Sequence, residues 1–320
     1  MTLSLEPMPA ERFDAWRAQT VTRMAALRRE SRMRPPTEAA EEAEGILRSR
    51  FPEGIASEFQ HVLEVRDGGR VVGSAWLEVK PADGQVKGLL YDLRANDPTA
   101  ALALIEARAA EEGAAELRVD LFVQDAAGWG AIEGRGYLPT NVQMLLEPLP
   151  ATRASGTVAL MPMTAEQYAS FEDRLIAEFA DDLVREGLWS PEGALAESAR
   201  QTAEELPDGL ATEGQLFFVA HAEGIRQPVG TLWLEVRQRS RGPHVFVMEL
   251  HVEPSHRRRG FGAAMMRAAE DVARSVGAES IGLHVFGSND AARSLYRSLG
   301  YREAEVLLAK PLRGPAPRST

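Results

Sequence analysis

The stretch that decides the fold is Leu250-His-Val-Glu-Pro-Ser-His-Arg257-Arg258-Arg259-Gly260-Phe261-Gly262-Ala263. Alternating residues before it read as a strand. After it, Met265, Ala268, Ala269, Val272 and Val276 recur at helical spacing until Gly277 stops the run. Glycines at 260 and 262 let the backbone approach a ligand closely, and unpaired N–H groups at a helix start point at an anion. Three successive arginines form a positive focus on a chain whose formal net charge is -11. The loop therefore suits a pyrophosphate; the plainer alternative is a surface turn with solvated arginines.

A second segment lies downstream, Asn289-Asp-Ala-Ala292-Arg-Ser-Leu295-Tyr296-Arg-Ser-Leu299-Gly300-Tyr301. Together the two resemble the GNAT superfamily of acyl-coenzyme A-dependent N-acyltransferases. The first looks like that family's Gln/Arg-x-x-Gly-x-Gly/Ala loop, with Arg257, Gly260 and Gly262 at its defining positions. The second is similar to its Asn-x-x-Ala-x-x-Leu-Tyr-x-x-x-Gly-Phe/Tyr segment at every position. The resemblance covers residues 157–312. It implies acetyl-CoA as cosubstrate and no metal. The cofactor-binding residues expected are Leu250, Val252, Arg257, Arg258, Arg259, Gly260, Phe261, Gly262, Ala263, Asn289 and Ala292. It further implies Tyr296 as the general acid and Asn289 on the pantetheine side. Without the motif, Tyr296 reads as a core tyrosine on the apolar face of its helix.

The chain also repeats itself. Val72-Gly-Ser-Ala-Trp76-Leu-Glu-Val79-Lys80 parallels Val229-Gly-Thr-Leu-Trp233-Leu-Glu-Val236-Arg237, 157 positions on. Gly113 parallels Gly277, and Tyr137 parallels Tyr301, each 164 positions on. The first copy is shorter where the second carries its Arg/Gly loop. At the same offset Asn289 falls on Asp125, and Tyr296 on Ile132. The expected fold class is α/β (α+β): two GNAT-like domains, each a mixed, largely antiparallel sheet flanked by helices. Residues 1–150 form the degenerate copy without a pyrophosphate loop and 157–312 the catalytic one. The Pro-containing segment 147–156 is the join, and 313–320 a flexible tail.

Bulk properties narrow the function classes. A chain of 320 residues with 44% hydrophobic and 26% charged residues is an ordinary globular composition for about two domains. No run of about 18 apolar residues suggests a membrane span, and no secretory signal opens the sequence. The absence of cysteine excludes disulfides, cysteine nucleophiles and thiolate metal sites, which fits the cytoplasm. The acidic balance argues against a nucleic-acid partner and suits a cationic acceptor. The expected partners are acetyl-CoA and an amine, with a homodimer left open.

For the base, alternation places Val245, Val247, Glu249, His251 and Glu253 on one strand face, with Glu249 and His251 as neighbours near the loop. A β-bulge here, common in the family, would upset that alternation. For the acceptor, Asp181, Asp182 and Trp189 could cradle an ammonium by charge and cation–π contact. Their alternative is a solvated helix face plus a core tryptophan. Three functions stay open: N-acetylation of a small primary amine, N-acetylation of a protein or peptide, and a non-catalytic acyl-CoA-responsive module.

Overall fold

The computed structural model describes residues 3–82, 85–151, 157–185 and 189–312. The expected tail 313–320 and residues 152–156 of the expected join lie outside the described residues. The first half runs β1 (Leu3–Pro7), α1 (Ala10–Ser31), α2 (Pro36–Arg50), β2 (Gln60–Asp67), β3 (Arg70–Ala82), β4 (Gln85–Ala95), α3 (Pro98–Glu111), β5 (Glu116–Phe122), α4 (Ala126–Ile132) and β6 (Leu138–Leu146). The second repeats that order with β7 (Val158–Pro162), α5 (Ala165–Arg185), α6 (Pro191–Glu205), β8 (Gln215–Ala222), β9 (Gly230–Arg239), β10 (Gly242–Val252), α7 (Phe261–Ser275), β11 (Ser280–Phe286), α8 (Asp290–Ser298) and β12 (Arg302–Pro311).

The chain divides into two compact units, and they interleave. Unit 1 takes Met1–Val142, Phe286–Ser288 and Glu303–Thr320; unit 2 takes Gln143–Val285 and Asn289–Arg302. Strand β12 pairs antiparallel with β5 from Glu305↔Phe122 to Pro311↔Glu116, so the last strand of the chain completes the sheet of unit 1. Sequence periodicity marks a strand but not its partner, which is why a single break at 147–156 misses this exchange.

Within unit 1 the order is β1-β2-β3-β4-β5-β12; only β4 and β5 run parallel. Within unit 2, β7-β8-β9-β10 are antiparallel and β10 pairs β11 in parallel. Each sheet is mixed and mostly antiparallel, flanked by helices, as expected.

Helix starts follow local chemistry. Thr164 and Gln167 make a reciprocal capping box before α5, with N–H donations of 2.9 and 3.3 Å to the opposite side chain. The apolar stripe of α5 buries Tyr168, Phe171 and Leu183. Tyr168 and Phe171 join Phe217 and Trp233 in one core cluster of unit 2. In unit 1, α1, α2 and the sheet enclose Phe13, Trp16, Phe51 and Trp76. Both buried strand tryptophans satisfy their indole N–H on a glutamine oxygen, Trp76 on Gln60 at 2.7 Å and Trp233 on Gln215 at 2.6 Å.

A chain ending at Tyr301 lacks β12, so β5 keeps β4 and loses its antiparallel partner, although the two are far apart in sequence. Hydrogen exchange of the β5 amides should accelerate by roughly two orders of magnitude. Unchanged protection there would contradict the strand exchange.

Candidate active site

Strand β10 carries the site because its ladder with β9 slips by one residue. Val247 opposes Leu234, yet Glu249 opposes Trp233, which leaves Met248 as the extra residue of a bulge. Residues directly opposite share a face. Val245 and Val247 therefore face with Val236 and Leu234, while Glu249 and His251 face with Trp233 and Thr231. The simple alternation over 245–253 is thus corrected, but the pairing of Glu249 with His251 on one face stands. Gly230 lets the backbones meet at this end: a Cβ there would lie 2.1 Å from the His251 carbonyl oxygen.

Around Glu249 and His251 the fold gathers groups that periodicity did not reveal. Arg174 of α5 donates to Glu249 at 3.0 Å, to Glu178 at 2.8 Å and to Thr231 Oγ1 at 2.7 Å. His251 Nδ1 lies 3.3 Å from Glu178 Oε2, and its Nε2 lies 4.0 Å from Glu253. The available signal was the i,i+4 pair Arg174–Glu178 beside the apolar stripe of α5, ordinarily the mark of a solvated helix face.

The electrostatics follow from enclosure. Burial pushes Glu249 up to about 7, and the Arg174 guanidinium opposes that rise. Burial, then Arg174, hold His251 below its ordinary value, so its imidazole is neutral at pH 7. Tyr296 of α8 is buried, and desolvation, reinforced by Glu249, raises its phenol to about 12. Glu178, Glu249 and His251 bring ligand atoms within 4.8 Å of one another, spacing that could suit a cation. Arg174 already supplies a positive charge to two of them.

The Arg/Gly loop has the geometry of an anion cradle. Arg258 and Gly260 adopt positive φ, 60° and 85°, and Gly260 caps α7 without a side-chain acceptor. The first N–H groups of α7, at Phe261, Gly262 and Ala263, thus stay available at its positive end. A Cβ on Gly262 would come 3.2 Å from Leu295 of α8, so the two motifs pack on each other. Arg257 donates from Nε to the Val252 carbonyl at 3.0 Å, bracing the turn, and Arg259 contacts His256 at 3.1 Å. Arg257, Arg258 and Arg259 are all exposed. Leu250 sits in the β10 ladder opposite Leu232.

Asn289 caps α8, accepting from the Ala292 N–H at 3.1 Å. Asp125 caps α4 in the same way on Gly128, so unit 1 keeps the cap while losing the asparagine. The acceptor candidates are placed differently from Glu249. Asp182 ion-pairs with Arg185, Asp181 is exposed, and Trp189 packs with Ala180, Leu183 and Ala194. The acids beside His251 are Glu178 and Glu253.

Residues 181–301 match the Acetyltransferase (GNAT) family profile. That part of the chain is similar to GNAT-family acetyltransferases. It is 29% identical over 156 residues to the uncharacterized N-acetyltransferase YycN of Bacillus subtilis, covering 49% of this chain and 99% of that one. Mycothiol acetyltransferase of Clavibacter michiganensis is 26% identical over 254 residues, 73% of this chain and 79% of that one. A GCN5-related N-acetyltransferase from Sphaerobacter thermophilus aligns over 98% of this chain and 97% of its own at TM-score 0.55 and 16% identity, a likeness of fold. Among the described residues no helix of the chain is long and apolar enough to cross a membrane.

The Arg174→Met substitution tests the electrostatic arrangement. Removing the guanidinium favours the neutral acid, so Glu249 should protonate at higher pH, above its present value of about 7. The carboxyl 13C shift of Glu249 across a pH titration reads this directly; a fall would refute the assignment.

Proposed function

We propose that this acetyltransferase moves an acetyl group from acetyl-CoA to the primary amine of a small molecule, by direct attack on the thioester. The observation that carries the reading is a buried donor, Tyr296, electrostatically coupled to a carboxylate of near-neutral pKa, Glu249. Support for a small acceptor comes from the relatives named mycothiol acetyltransferase. The residues fit the cosubstrate: α7 offers unpaired N–H groups for its pyrophosphate, and the flanking arginines attract it through solvent.

The chemistry divides among the side chains. The acceptor amine attacks the thioester carbon, the C–S bond breaks, and the amine proton passes to Glu249 directly or through water. A base titrating near 7 is matched to neutral pH. His251, neutral and held beside Glu178, orders the same edge of the site. In this reading Tyr296 is the group that meets the leaving sulfur. A phenol near 12 against a thiol near 8.5 makes full transfer uphill by about 5 kcal/mol. Its contribution is therefore a hydrogen bond to the developing thiolate, with the final proton drawn from water. The glutamates at 178 and 253 give a cationic amine an attractive approach.

Released thiol can be followed with a thiol-reactive dye, because the chain has no cysteine to add background. Across a panel of polyamines, aminoglycosides, amino acids and basic peptides, a small amine should give acetyl-CoA-dependent release. With that amine, Tyr296→Phe should lower kcat about 100-fold and leave acetyl-CoA binding unchanged. Unaltered kcat would remove Tyr296 from the mechanism, and activity confined to peptides would overturn the small-molecule reading.

A further inference from the structure

Unit 1 lacks the Arg/Gly loop and has Ile132 at the place of Tyr296, yet it is not filled in. A cavity of about 340 Å³ opens along β4 and β5 beneath α1 and α2. Apolar side chains, among them Met24, Ile46, Leu90, Leu102 and Phe122, make most of its wall. Such a volume is within the range of small-molecule sites.

The charges lining it are not evenly compensated. Each lining arginine already has an acid: Arg94 lies 3.7 Å from Asp92, Arg50 3.3 Å from Glu78, and Arg28 3.6 Å from Glu42, while Asp92 also pairs with Arg23 of α1. Asp125 is used by the cap of α4. That leaves Asp120 of β5 and Glu305 of β12. Asp120 opposes Leu307, so Glu305, two residues along β12, is its diagonal neighbour on the same face. The two carboxyl groups hydrogen-bond each other, and Arg28 is the cation that acts on both of them, through space. Asp120 is open to water although protein encloses it, because it looks into the cavity and not into bulk solvent.

We propose that this cavity is a second small-molecule site, taking an amine with an apolar body and holding it without acylating it. The ammonium would sit against Asp120 and Glu305, and the apolar body along the leucine-rich wall. An anion would meet two acids and only arginines already engaged. Two carboxyl groups that hydrogen-bond each other do so through a shared proton, so the free pair retains one. Burial raises Asp120 to about 6 against the hydrogen bond with Glu305 and the field of Arg28, while burial and then the charge of Asp120 raise Glu305 to about 8. A bound ammonium takes over the role of that proton and releases it to solvent. Glu42 adds to the repulsion at Glu305, and Arg28 partly offsets it.

The test uses the full chain with 13C-methyl-labelled methionine and 2-phenylethylamine as the ligand. Met24 lines the cavity of unit 1, and a Met24→Leu variant assigns its signal. The amine should shift the Met24 methyl, whereas 3-phenylpropionate should not, and 2-phenylethanol should do so only weakly. Binding should tighten at least about a hundredfold between pH 5.5 and 8.5, as the pair loses its proton. Joint Asp120→Asn and Glu305→Gln substitution should weaken it at least about tenfold and abolish the pH dependence. A Met24 signal that ignores the amine, or responds equally to the carboxylate, overturns the proposal. Should the double variant fail to fold, the ligand comparison and the pH series on the unaltered chain still decide it.

Discussion

The one-residue slip between β9 and β10 is the constraint on which the candidate site depends. A regular ladder would keep Glu249 on the face of Val245 and Val247, against α7. The bulge at Met248 sends those valines to one layer and Glu249 with His251 to the other, beside Arg174 of α5. Facing α7, a carboxylate would be buried without a counter-ion, at a cost of several kcal/mol. Facing α5, it finds a guanidinium and a hydroxyl. Gly230 is part of the same device, because any side chain there would strike the His251 carbonyl and force the strands apart.

Unit 1 repeats the device almost in full. Its bulge falls at the matching place, with Trp76 opposite Asp92 and Leu77 opposite Leu90. Gly73 meets the Arg94 carbonyl as Gly230 meets that of His251. An arginine of the first helix again pairs with the bulge carboxylate, Arg23 with Asp92. What differs includes the Arg/Gly loop, the phenol and the asparagine, in whose place Asp125 still caps a helix. The architecture and its ion pair recur where the Arg/Gly loop and the phenol are absent. The ion pair is therefore explained by folding first, since a carboxylate on the inner side of the bulge requires a cation in either unit.

Much of this was legible in the sequence, and the exceptions have physical causes. Strands 280–286 and 302–311 and helices α5, α6, α7 and α8 follow from periodicity and caps within a residue or two, because those signals are local. The Trp-Leu-Glu-Val repeat revealed the doubling because the same buried tryptophan and glutamine bond recur. Strand exchange was not legible: β12 has the same alternating pattern whichever sheet it joins. Arg174 was not legible either. An arginine four residues before a glutamate on a helix normally signals solvent, and only the tertiary placement of Glu249 gives it a second partner. Trp189 shows the converse, a residue whose chemistry suggested a ligand and whose contacts are those of a small apolar cluster.

The arrangement also links the two ends of the proposed reaction. Burial is the main reason the Tyr296 phenol lies near 12, but the charge on Glu249 adds to it. Glu249 in turn lies near 7 because burial and Arg174 pull in opposite directions. A proton arriving on Glu249 cancels the charge that holds the phenol's proton on. Tyr296 then becomes a stronger hydrogen-bond donor at the moment the amine has given up its proton and sulfur begins to carry negative charge. The donor is thus weak while the thioester is intact and strengthens when the thiolate must be stabilised. No movement of the chain is required for this, only two titratable groups enclosed within reach of each other's fields.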